Sequence, residues 1–216
     1  ITAAPSDHGL LTAAQLTELT ARDGALSAVL DGVDGTTAIL AIDPAVVAAI
    51  RVLGTSAPPT ATEWLERLDA LPNTRFALQF GDADISAQVH AGITTPLQPT
   101  SLVTYLDQAN FPVPTQTGAS PNATPTPTPT SIVVPDLAEL TTIAGAIADV
   151  YWPAAGTADA QVLQAVNGFV EGATPLTLVA SHTTSAGSTG AAVPAVATVG
   201  ESKVLVYDTE TSAATK

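Results

Sequence analysis

The residues of this chain best placed to do chemistry are aspartates that directly follow apolar runs. Asp43 follows Thr37–Ile42, Asp82 and Asp84 follow Arg75–Phe80, and Asp208 follows Lys203–Tyr207. Two carboxylates facing each other across a cleft can share glycoside hydrolysis, one protonating the leaving oxygen and the other acting as base or nucleophile. Asp43 with Asp82 or Asp84, joined by Asp208, is the candidate set for that chemistry.

Asp82-Ala83-Asp84 has a second reading, because an acidic pair after a strand is how many glycosyltransferases hold a metal and a nucleotide diphosphate. A plainer account is available: Asp84 caps the helix that follows, and Asp82 adds negative charge at its positive end. No metal and no cofactor is therefore assigned. A metal-dependent deacetylase would need an aspartate with two histidines close in sequence, and His8, His90 and His182 are isolated from one another. His90, late in its helix, suits the negative helix end. His182 lies at a strand end and belongs with the candidate mouth residues, although its neighbour Ser181 has no triad order around it. Trp152, also at a strand end, could stack on a sugar ring or plug the end of a barrel. Trp64 sits among leucines at helical spacing and reads as core. Trp152, His182 and Asp208 form the candidate ligand-binding set.

These positions depend on the elements that carry them. Thr37–Ile42 is continuously apolar, as in a strand buried on both faces, and Asp43-Pro44 then suits a cap and first turn for a helix over Ala45–Leu53. A helix over Thr62–Leu71 follows. Arg75–Phe80, Gly81–Asp84 and a helix over Ile85–Ala91 repeat the same order, and two strand–acid–helix units imply right-handed crossovers and a parallel sheet. The pattern further predicts helices at Thr12–Leu19, Ala25–Leu30, Thr100–Leu106, Pro135–Ala144 and Asp159–Val170. It predicts strands at Ala146–Trp152, Pro175–Ala180 and Lys203–Tyr207, with Ile1–His8 as the tail of an earlier strand and Thr209–Ala214 beginning another helix. Residues 112–135 are rich in Pro and Thr and keep no apolar period, which marks an exposed insertion. Asn122-Ala123-Thr124 within it matches a glycosylation acceptor only formally. The fold expected is one incomplete or degenerate (β/α) barrel with parallel strands spanning 1–216, and an open doubly wound parallel sheet is the alternative.

Composition narrows the partners. The chain has 216 residues, of which 46% are apolar and 4% aromatic, so a core of small and branched side chains is expected. Six Lys+Arg against twenty Asp+Glu leave a formal charge of −14, which repels nucleic acid and anionic lipid. Without Cys there are no disulfides, thiolate zinc sites or thiol nucleophiles. No apolar run is long enough to insert in a membrane. The absence of Met, even at position 1, reads as an excerpt or a processed product, with any signal or anchor outside it.

LAIDPAVVAAI, the Trp64 helix, FALQFGDADISAQVHAG, YWPAAG, LTLVAS and LVYD resemble, in that order, a group of exported envelope proteins of high-GC Gram-positive bacteria catalogued as domain of unknown function 6049. Members usually lie beside the lipid II flippase. The resemblance covers nearly the whole chain apart from the Pro/Thr insertion, which departs from the family pattern. It implies a barrel of the glycoside hydrolase/deacetylase type, an extracellular or cell-envelope location with a membrane anchor elsewhere, and recurrent acidic positions at Asp43, Asp82 and Asp84, without an established activity. The function expected is a non-catalytic envelope module that binds a wall glycan or an envelope protein. The alternative is a carbohydrate-active hydrolase using the aspartates.

Overall fold

A computed structural model describes residues 1–5, 9–111 and 134–208; His8, most of the Pro/Thr insertion with Asn122, and the C-terminal stretch expected to begin a helix lie outside the described residues. Two short helices open the fold, α1 (Ala13–Leu19) and α2 (Ala25–Val33). Thr12 caps α1 with a reciprocal bond to Gln15, the capping box that a Thr three residues before Gln permits. Next come β1 (Leu40–Ile42), α3 (Pro44–Arg51), α4 (Pro59–Ala70), β2 (Arg75–Ala77) and α5 (Ile85–His90). The second half of the described chain holds α6 (Leu137–Thr141), β3 (Ala146–Ile147), β4 (Val150–Tyr151), α7 (Ala160–Gly168), β5 (Leu176–Ala180), β6 (Val196–Val199) and β7 (Ser202–Tyr207).

The fold is mixed α/β. β1, β2 and β3 form a parallel sheet in that order, and β4, β5, β7 and β6 form a second in which β6 alone runs antiparallel. β3 and β4 are separated only by Ala148 and Asp149, and Asp149 takes a left-handed φ of 58°. The single strand expected over Ala146–Trp152 is thus broken at its middle, because one left-handed residue re-aims the chain from one sheet to the other. Ile1 adds to the outer edge of β1: its nitrogen donates to the Ala41 carbonyl and its carbonyl accepts from Asp43 N–H at 3.0 Å.

Side-chain alternation assigns the two faces of the sheets. Leu40, Ile42, Ala77 and Ala146 join the cluster of α1 to α4 that contains Trp64. Tyr151 packs on α5 and α7 residues, and Val179 and Val204 pack on Leu163 of α7. The alternate positions, Ala41, Phe76, Val150 and Leu178, with Leu176 and Tyr207 at their margin, form a cluster to which no helix contributes. Helices therefore cover one face, whereas a doubly wound sheet carries them on both. Strand order also advances without a reversal through β1, β2, β3 and then β4, β5, β7. Among the described residues the strands do not close into a barrel.

Three expectations change in detail. Thr100–Leu106 is no α-helix but holds a single 3-10 turn at Val103–Tyr105, whose preceding residue makes no side-chain cap. β2 stops at Ala77, and Phe80–Asp82 closes a tight turn in which Gly81 has φ 69° and Asp82 φ 51°. β6 was not expected. It joins β7 through Gly200-Glu201, a two-residue connection that Gly200 permits at φ 62°.

Candidate functional site

β1 and β2 run parallel in one sheet and β4, β5 and β7 run parallel in the other, and every predicted site residue follows the C-terminal end of one of these strands. Asp43 caps α3, and its Oδ1 accepts from Ala45 N–H at 2.8 Å and from Gly81 N–H at 2.9 Å. One oxygen thereby holds the first turn of α3 and the turn after β2 together. The residue is only 2% exposed. Burial, the largest influence, pushes its carboxyl above the ordinary value; the two backbone N–H bonds pull down, and the charge of Asp82 pushes up again.

Asp43 and Asp82 line the same cleft, of about 640 Å³, walled by Thr2–Pro5, Phe80 and Gly81. The exposed Asp82 stands at its rim in the left-handed conformation that follows Gly81. The structure thus brings two of the four acidic candidates, Asp43 and Asp82, to one cleft. It takes Asp84 elsewhere: this residue caps α5 through Ser86 N–H at 2.9 Å and accepts from Ala154 N–H at 3.4 Å, tying the loop after β2 to the loop after β4. Among the described residues, no three His, Asp or Glu side chains converge as metal ligands would.

Trp152 follows β4 on the helix-free face. Its ring meets Tyr207 edge-on at 5.6 Å and 72°, and Phe76 at 6.3 Å and 51°. It remains 43% exposed, so neighbours fix the ring without covering it. Phe76 and Tyr207 come from β2 and β7, and neither was singled out from the sequence. The available signal was their place in the strand alternation beside Trp152. His182 and Asp208 are exposed at the ends of β5 and β7. His90 does more than suit a helix end, because its Nε2 lies 3.1 Å from Oδ2 of Asp159, the residue that caps α7.

No protein-family model, curated relative or solved structure matches the chain.

Proposed function

We propose that this chain is a non-catalytic cell-envelope module, a partial (β/α) barrel of the glycoside hydrolase/deacetylase type whose strand-end edge binds a wall glycan or an envelope protein. One observation carries the reading. Trp152 is half-exposed at the end of β4 and held in a fixed tilt by Phe76 and Tyr207. An aromatic face that is already ordered loses little conformational freedom when a sugar ring stacks on it. The strand order, which advances without a reversal within each of the two sheets through β1, β2, β3 and β4, β5, β7, and the one-sided helices support the partial-barrel element. The net charge of −14 favours neutral or cationic partners over anionic ones.

The hydrolase reading has its own support in the shared cleft of Asp43 and Asp82, where a carboxyl held above its ordinary value stands beside an exposed one. Against it, Asp43 already serves as a cap and a clamp between two turns. A panel of peptidoglycan and wall-polysaccharide fragments, tested for both binding and cleavage, separates the two readings. Binding without turnover, lost in Trp152→Ala and kept in Asp43→Asn, is the expected result. Turnover lost in Asp43→Asn would replace the binding module with an enzyme.

A further inference from the structure

β6 (Val196–Val199) is the outermost strand of its sheet, and among the described residues no strand pairs with its far side. Val206 N–H donates to the Ala195 carbonyl at 2.7 Å, and bonded and non-bonded pairs alternate along an antiparallel ladder, so the backbone groups of Ala195, Ala197 and Val199 face β7. Those of Val196 and Thr198 therefore point outward. Proteins commonly shield such an edge with Lys, Pro or a bulge. The run Val-Ala-Thr-Val has none of these, its register with β7 is continuous, and Val196 and Val199 are 67% and 49% exposed.

The strand is complementary to itself. When two copies lie antiparallel about a twofold axis through Ala197, Val196 of each faces Thr198 of the other, so every outward N–H and C=O meets a partner. Moving the axis to Val196 sets Thr198 against Pro194, which has no N–H; moving it to Thr198 sets Val196 against Gly200, already turned into the hairpin at φ 62°. Ala197 suits the axis because the two residues there form a non-bonded pair, the closer kind, with Cα atoms about 4.5 Å apart. The formal charge of −14 opposes association in general, but β6 itself carries no charge, and the two copies of Glu201, the acid nearest in sequence, stand at opposite ends of the ladder. We propose that β6 is the contact through which two copies of this chain pair edge to edge, joining their four-stranded sheets into one continuous sheet. The four residues of β6 fall far short of the roughly 20–30 a side of a standard interface, so the dimer is weak and concentration-dependent. Trp152 follows β4, at the other end of the strand order, and the pairing does not depend on the glycan-binding reading.

Sedimentation of the whole chain from about 10 μM to about 1 mM should show a dimer that grows with concentration. Added salt screens the repulsion between two acidic copies and should tighten the association. Thr198→Pro removes an outward N–H and none of the bonds to β7, a position where edge strands accept proline. It should keep the thermal midpoint of the parent and weaken association at least about tenfold. The chain has no Cys, so single cysteines report the register without a background. Ala197→Cys places two thiols within disulfide reach across the axis, whereas those of Val199→Cys stand four residues, about 13 Å, apart. With diamide as the oxidant, Ala197→Cys should cross-link at least about tenfold faster than Val199→Cys. A monomer at about 1 mM, which would leave the edge to a foreign strand, would overturn the assignment. So would association that loosens with salt, equal cross-linking of the two cysteine variants, or undiminished association of folded Thr198→Pro.

Discussion

Oδ1 of Asp43 accepts hydrogen bonds from Ala45 N–H and, across the sheet edge, from Gly81 N–H, so one atom fixes both a helix start and the turn after the neighbouring strand. Asp43→Ala leaves both donors without their partner in a buried setting. A loss of roughly 2–4 kcal/mol is expected, combining the cap with the cross-turn bond. Asp43→Asn retains an acceptor oxygen in the same place and should cost under about 1 kcal/mol, read from urea midpoints at neutral pH.

The same residue sets a pH dependence. Burial holds the folded carboxyl above its unfolded value, so between the two values the folded chain keeps a proton that the unfolded chain has released. The contribution is fully present below the unfolded value and is lost as pH rises through the folded one. Stability of the parent measured against Asp43→Asn should therefore decline as pH rises through that window and level off above it. A difference that grows with pH would contradict the buried placement.

Arg75 is 5% exposed, and its guanidinium donates to the carbonyls of Leu68, Leu71 and Asn73 rather than to a carboxylate. It thus adds a second donor to the Leu68 carbonyl in the last turn of α4, which also accepts from Leu71 N–H, and donates to the C-cap carbonyl of Leu71, while its own residue begins β2. Arg75→Met fills similar volume but removes all three donations, with only the Leu68 carbonyl keeping its bond from Leu71 N–H, and should cost roughly 2–4 kcal/mol. Arg75→Lys should recover less than half of that loss, since a single ammonium cannot span three acceptors held by a planar fork. Thermal midpoints of the two variants against the parent check both statements.

His90 and Asp159 join the end of α5 to the start of α7. The Asp159 carboxyl lies below its ordinary value, chiefly through the Val162 N–H bond and next through His90. A lowered carboxyl contributes stability above the unfolded value, and that contribution is lost as pH falls through the folded one. His90→Gln should move the Asp159 titration, followed by carboxyl NMR, part of the way back towards the ordinary value. The remaining depression should persist until the Val162 bond is broken.

Much of this frame was legible because short-range chemistry determines it. Asp43-Pro44 carries its own cap and first turn, and Asp84 is spaced to bond Ser86 N–H, so both strand–acid–helix units follow from neighbouring residues. Phe76 and Tyr207 gain their roles from contacts with Trp152, distant in sequence, and no local pattern announces those contacts. The break at Asp149 was hidden for a related reason, since an aspartate inside Ala146–Trp152 fits an alternating strand unless its φ is known. β6 had a local signal in Val196–Val199 followed by Gly200-Glu201, but Gly, Ala and Thr around it read equally well as loop.

Phe76 provides the sharpest test of the helix-free face. Its ring is buried against Ala41, Val150 and Leu178 and also supports Trp152. Phe76→Ala should cost about 3–5 kcal/mol if this face is packed as a core, and much less if it were an open surface. Fluorescence can separate packing from support, because the chain has two tryptophans and Trp64 is buried. In a Trp64→Phe background, the emission of Trp152 should already be accessible to acrylamide, as its 43% exposure requires. Adding Phe76→Leu keeps most of the apolar volume while removing the ring contact. Trp152 should then show lower anisotropy and faster quenching with only a small fall in stability. An unchanged Trp152 signal would mean that Tyr207 alone sets the ring, and Phe76 would be left with a packing role only.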